Sequence, residues 1–255
     1  MGHIYLGALP RTYRWKEVIE LLKSGADLND LADASFFAAH SGLQRVPNDA
    51  GFLSTVNSIF ELAAAAREKD VSGALENAGI PREHQSTSFD VLVAVSNKVT
   101  DDLKHTADRS DIGQMARDSF VESLTRQVQT ETGSLFQAGS QDIKKLTQPF
   151  RGKQFKVLMH EFYSAFISRF LSYHLSREIP NHVGPDSRFA DMAEHAEFNR
   201  AFDLHCRQTV RISDEFTPGW VGKAAFENDI SRESVKKYAH VAFKKIASEF
   251  ERGGK

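Results

Sequence analysis

The sequence predicts an all-α fold, and three observations lead to this prediction. Apolar residues recur at intervals of three and four along most of the chain, which is the period of an α-helix. The 7 prolines and 16 glycines are spread thinly over 255 residues, so few positions would break a helix. The composition, 41% hydrophobic and 26% charged, is that of a folded globular protein. We therefore expect a multi-helix globular fold, in which several short N-terminal helices pack with a C-terminal bundle of three long helices.

The N-terminal helices are bounded by capping and breaking residues. Thr12 is of the type that caps a helix start, and Gly25 is of the type that ends one. Pro47 breaks the chain after the second helix, and Gly79 with Pro81 closes a short fourth one. Together with the apolar spacing, these signals predict helices over 12–25, 28–40, 52–69, 71–78, 89–103 and 112–128.

The segment 89–103 is ambiguous between strand and helix. Val91, Val93 and Val95 alternate as they would in a strand. The same segment also fits one face of a helix, and its length favours a helix. We therefore predict a helix there.

The segment 132–148 is the best candidate for a boundary, because it is rich in glycine and serine and ends at Pro149. It divides the chain into an N-terminal helical region, 1–147, and a C-terminal helical bundle, 148–255. The two regions could equally form one continuous domain. No internal repeat is visible in the sequence.

The C-terminal region is predicted to hold three long helices, over 152–177, 191–216 and 231–250. The first is apolar around much of its circumference, which is typical of a helix at the centre of a fold. Ser164, Ser168 and Ser172 recur at a spacing of four on its polar side. This row predicts a narrow groove where another backbone approaches closely.

The expected compartment is the cytoplasm. Cys206 is the only cysteine, so no internal disulfide is expected, and no secretory signal pattern is visible at the start of the sequence. The most membrane-like segment, 155–175, contains Lys156, Glu161 and Arg169, which do not suit a membrane span. We expect no membrane association.

The segment 177–220 is the richest in groups that can carry chemistry. It contains His182 in a proline-flanked connector, and Asp203, His205 and Cys206 on the predicted 191–216 helix. A hydrolase could use these four residues as its catalytic site. The apolar stripe predicted for that helix contains Phe198, Ala201, Phe202, His205, Thr209, Ile212 and Phe216. A histidine within such a stripe is more often a hydrogen-bonded core residue than a catalytic one.

No motif predicts a metal or a cofactor. The histidines and Cys206 lack the close ligand pairs of zinc sites. Phosphate-binding glycine loops and the serine elbow of α/β-hydrolases do not occur in the sequence.

Nucleic-acid binding would depend on two basic clusters, one of which has aromatic residues interleaved. The formal charge of −2 does not favour a polyanionic partner overall. Basic residues beside aromatic ones can nevertheless bind phosphates and stack on bases. The two clusters comprise Arg11, Arg14 and Lys16 near Tyr13 and Trp15, and Lys144, Lys145, Arg151 and Lys153.

By elimination, the sequence favours a helical protein–protein interaction module, an adaptor or regulatory subunit of a larger assembly, over an enzyme. The hydrolase and the nucleic-acid-binding protein are the alternatives. A pocket into which His205 faces would favour the hydrolase, whereas a packed His205 would favour the module. Basic clusters on opposite sides of the fold would argue against nucleic-acid binding.

Overall fold

A computed structural model of the chain describes residues 3–4, 6, 11–106, 109–132, 143–185, 187–210, 217, 219–220 and 231–253. Within these residues the protein has ten α-helices, and the all-α prediction is confirmed. The helices are α1 (Tyr13–Ser24), α2 (Leu28–Leu43), α3 (Ala50–Ala65), α4 (Val71–Asn77), α5 (Ser88–Lys104), α6 (Asp111–Thr132), α7 (Ile143–Leu146), α8 (Gly152–Leu175), α9 (Met192–Thr209) and α10 (Arg232–Gly253). None of these helices is both long and apolar enough to cross a membrane.

Two short strands, β1 (His3–Ile4) and β2 (Arg109–Ser110), were not predicted by the sequence; they pair in parallel. Helix α6 is longer than predicted: its 22 residues equal those of α10. The contrast between short N-terminal and long C-terminal helices is therefore smaller than the sequence suggested. The predicted boundary segment falls largely on residues 133–142, which lie outside the described residues.

The helix ends follow the predicted capping chemistry. The Thr12 hydroxyl accepts a hydrogen bond from the Trp15 backbone N–H, 3.4 Å away. Gly25 ends α1 with φ of +73°, a left-handed conformation that glycine adopts without steric cost. Asp49 and Asp191 cap α3 and α9 in the same way as Thr12 caps α1.

Helix α8 lies at the centre of the fold, as predicted. Thirteen of its 24 residues are buried, and it packs against α6 on one side and α9 on another. Its aromatic side chains meet those of α3 and α10; for example, the ring centroids of Phe166 and Phe52 are 5.0 Å apart. The buried apolar side chains form one cluster that extends from Trp15 to Phe250.

The serine row of α8 is covered by neighbouring helices. Ser164 and Ser168 are buried, and the Ser168 hydroxyl donates a hydrogen bond to Asp203 on α9. The Ser168 side chain thus contacts α9, and both buried serines line a small cleft between α6, α8 and α9. The close backbone approach along this row stays a prediction.

The apolar stripe of α9 differs from the prediction. Ala201 is exposed, whereas Phe198, Phe202, Cys206 and the following Val210 are buried. The buried face of α9 is therefore rotated relative to the predicted one, so that it includes Cys206 and leaves out Ala201. The helix is described to Thr209, and Ile212 and Phe216 lie outside the described residues.

Candidate functional site

Cys206 is placed in the core rather than in a site. Its side chain is fully buried on the face of α9 that packs against the rest of the core. Burial, and secondarily the negative charges of Asp203 and Asp33, raise the pKa of its thiol well above the usual value. A nucleophilic cysteine needs the opposite setting, one that is accessible and electropositive.

His205 is packed against α2. Its Nε2 lies 3.0 Å from Oδ1 of Asp33, and only 15% of the His205 side chain is exposed. The ring of Phe250 lies beside it, with 6.1 Å between centroids. His205 therefore matches the expectation of a histidine that is hydrogen-bonded within a helix interface.

Asp203 and His182, the other two residues of the hydrolase hypothesis, contact different parts of the fold. Asp203 faces α8, where it accepts the hydrogen bond of Ser168. His182 ends a 3₁₀ turn before α9, and its carbonyl accepts a hydrogen bond from Phe189 N, 3.0 Å away. Asp203 and His205 thus point to different neighbouring helices. This arrangement does not favour the predicted hydrolase site.

The two basic clusters lie towards opposite ends of α8. Lys153 is in the first turn of α8, whereas Trp15 packs against His174 in its last turn. The rise of an α-helix separates these two positions by roughly 30 Å. Trp15 is buried and cannot stack on a base, although Tyr13 is exposed. The guanidinium of Arg14 donates to the Phe37 carbonyl.

A concave groove lies along α3 and α5. It consists of two clefts of about 650 and 620 Å³ that share Glu61 and Asp102 in their walls. Helix α3 is otherwise embedded in the core, with eleven of its 16 residues buried. Its five half-buried residues recur at helical spacing, and all five line the groove: Ala50, Ser54, Asn57, Glu61 and Ala64.

The C-terminal part of α5 forms the facing wall, and Lys98 is its most buried charge. The Lys98 ammonium lies 2.6 Å from Asp102 and 3.1 Å from Glu61, and 8% of its side chain is exposed. Burial opposes this charge, but the hydrogen bonds to Asp102 and Glu61 outweigh it and raise the pKa of Lys98. The hydroxyl of Ser58 also donates to Asp102, at 2.6 Å. This network cross-links α3 to α5.

The groove is acidic and has an apolar floor at one end. Four carboxylates and two cations line the two clefts, which gives a formal charge of −2 with His105 neutral. The acidic residues are Glu61, Glu68, Asp101 and Asp102, and the basic ones are Lys98 and Arg232. The floor of the larger cleft is lined by Ala64, Ala65, Ala74 and Ala78.

Two smaller clefts lie where α6, α8 and α9 meet. One of about 100 Å³ is enclosed by Arg126, Arg169 and Arg207, but these arginines are engaged by Glu122 and Glu161. The other, of about 480 Å³, opens outward beside Val157. Charge is balanced here, so the α3–α5 groove is the stronger candidate site.

The sequence analysis did not identify the groove residues as a site. Their signal was present as the small and polar face of the third predicted helix, but every surface helix has such a face. Among the described residues, no group of three or more His, Cys, Asp or Glu side chains is arranged to hold a metal ion. The chain matches no protein-family model, no curated protein and no solved structure.

Proposed function

We propose that this protein is a helical protein–protein interaction module, an adaptor or regulatory subunit, and that its docking site is the α3–α5 groove. One observation carries the proposal: every residue of α3 that is not buried opens onto this groove. A core helix that forms the floor of an open groove supplies a rigid surface. Binding to such a surface costs little conformational entropy, because the surface is already ordered.

The shape favours a polypeptide over a small molecule. The groove follows α3 from Ala50 to Ala65, roughly 22 Å at the rise of a helix, and ends beside Glu68 in the turn that follows. Small-molecule sites are compact and bury most of their ligand. An elongated groove of this length suits a helix laid along it, which is a recurrent mode of peptide recognition.

The charge favours a protein over a nucleic acid. Carboxylates in the groove would repel the phosphate backbone, whose neutralisation dominates nucleic-acid affinity. The two basic clusters, near opposite ends of α8, do not compensate with one continuous surface.

The proposal is tested by capture of partners from native cells with the tagged full chain, with and without nuclease. Ala64→Trp fills the groove at its floor, and Ala201→Trp places the same ring on the exposed face of α9 as the matched control. We expect a stoichiometric, nuclease-resistant partner with the wild type and with Ala201→Trp, and its loss with Ala64→Trp. Thermal unfolding tests whether Ala64→Trp is folded, and Asn57→Trp is a second filling variant to use if it is not.

Retention of the partner by a folded groove-filling variant would refute the proposed docking site. Partners released by nuclease would instead favour the nucleic-acid alternative and contradict the proposal.

A further inference from the structure

We infer that the occupant of the groove is an amphipathic helix of a partner protein that carries a row of lysine or arginine side chains. This inference rests on the proposed function and specifies the chemistry of the partner. It starts from the larger cleft, whose lining combines four alanines with the carboxylates of Glu68 and Asp101. A ligand that fits this cleft needs a small apolar face and positive charges beside it.

The floor allows close approach. Its four alanines have the smallest side chains that still present apolar surface, so a helix axis can approach to the short end of the usual 8–10 Å packing distance. Helix α3 contributes roughly 22 Å of the groove, and a partner helix of about 18 residues would cover that length together with the turn that carries Glu68. Glu61 is on α3 and Glu68 lies in the turn that follows it, so a partner helix would meet the two carboxylates with cations at separate positions along one face.

Lys98 is an internal precedent for the recognition of an ammonium group. It lies between Glu61 and Asp102 in the wall that the two clefts share, and both carboxylates contact its Nζ. These walls therefore already hold one lysine in an almost buried position. Glu68 and Asp101 are the exposed carboxylates of the larger cleft, and we call them its rim. The Asp101–Lys104 pair is more than half exposed on both sides, so a partner's cation can replace it at little cost.

The probe is a fluorescein-labelled helical peptide of about 18 residues, with lysines on one face and alanine and leucine on the other. A comparison peptide carries glutamate in place of lysine. We expect the basic peptide to bind the full chain at least about tenfold more tightly than the acidic one, as measured by fluorescence anisotropy. Its affinity should fall between about 50 mM and about 500 mM salt.

The matched variants change the same number of charges at two places. Glu68→Lys/Asp101→Lys reverses the rim, and Glu17→Lys/Glu20→Lys reverses two exposed carboxylates on α1, which line neither cleft. We expect the rim variant to weaken the basic peptide by at least about tenfold and the α1 variant to leave it within about twofold. No binding of the basic peptide, equal binding of the acidic one, or equal effects of the two variants would overturn the inference.

The same variants separate this inference from the proposed function. Suppose that a captured partner is lost with Ala64→Trp but kept by the rim variant. The proposed docking site would then be supported, and the inference that its occupant is a basic helix would be refuted. A partner kept by Ala64→Trp would refute the docking site itself.

Discussion

The indole of Trp15 packs against the imidazole of His174, with 5.0 Å between the ring centroids. This contact joins α1 to the last turn of α8, and both residues are buried. The Nδ1 atom of His174 is also buried and has no hydrogen-bond partner among the described residues. Burial, and then the charge of Arg177, lower the pKa of His174 to about 4. The fold therefore holds this histidine neutral.

The first prediction is a loss of stability in mild acid. In the unfolded chain His174 titrates near the ordinary histidine pKa of 6.5, whereas in the fold it titrates near 4. The free energy of unfolding keeps its full value, as far as this residue is concerned, above pH 6.5. It declines as the pH falls towards 4, because only the unfolded chain gains the proton. The loss attributable to this residue between neutral pH and pH 4 should be about 3 kcal/mol. Urea denaturation at a series of pH values measures it.

His174→Phe removes the titrating group and keeps an aromatic ring against Trp15. We expect this variant to lose less free energy of unfolding between neutral and acid pH than the wild type loses. The control is His240→Gln, on the exposed face of α10, which should retain the wild-type pH dependence. If His174→Phe has that same dependence, another group is responsible.

The second prediction concerns the charge network of the groove. Lys98→Met leaves Glu61 and Asp102 facing each other without the cation that lies between them. Removal of one member of a buried pair is costly, but these two carboxylates are more than a third exposed, and solvent screens part of the repulsion. We expect a loss of about 1–3 kcal/mol in the free energy of unfolding.

Lys104→Met is the matched control, since Lys104 pairs with Asp101 on the same helix but both side chains are mostly exposed. Its cost should be at most about 0.5 kcal/mol. Equal losses in the free energy of unfolding for the two variants would mean that the Lys98 network does not stabilise the contact between α3 and α5.

The sequence predicted the helices well because their determinants are local. The cap at Thr12, the stop at Gly25 and the apolar period of 112–128 are each read within one turn or one helix. Even the ambiguous segment, now α5, could be assigned by its length. By contrast, Ala201 was wrongly assigned to the core. Alanine tolerates either environment, and only the position of the neighbouring helices decides which face of α9 is covered.

The groove could not be predicted for the same reason. Ser54, Asn57 and Glu61 have the composition of an ordinary solvated helix face. They line a groove because α5 and the start of α10 lie beside α3. These contacts join residues more than 40 positions apart, as Ser58 and Asp102 illustrate. Within the segment 177–220, the described residues Phe198, Phe202 and Cys206 are buried in the core, and Asp203 and His205 hydrogen-bond to neighbouring helices.

The third prediction is that Cys206 is chemically inert in the folded protein. Its thiol is buried and its raised pKa keeps it protonated at neutral pH, so a small disulfide reagent should react only through opening of the fold. Cys206→Ser/Leu204→Cys moves the thiol to a position that is 53% exposed on the same helix. We expect the wild type to react at least about 100-fold more slowly than this variant under native conditions and at a similar rate in denaturant. Rapid modification of the native wild type would revive the hydrolase hypothesis.

The fourth prediction concerns the crossing of α3 and α6, where two glycines bring the backbones into contact. A Cβ at Gly113 would lie 2.9 Å from the Cα of Gly51, and one at Gly51 would lie 2.7 Å from the Cα of Gly113. Alanine would gain about 1 kcal/mol in helix propensity, but backbone atoms cannot give way as a flexible side chain does. Overpacking costs of about 1–3 kcal/mol should dominate.

We therefore expect Gly113→Ala to lower the free energy of unfolding by about 1–2 kcal/mol, as measured by urea denaturation. Gly219→Ala is the control, because a Cβ at Gly219 would meet no atom of the described residues within 4 Å. Since α3 is the floor of the groove, the displaced crossing should also weaken capture of the groove partner. A Gly113→Ala protein as stable as the wild type would show that α6 can shift without disturbing α3, and the floor would then be less rigid than its burial implies.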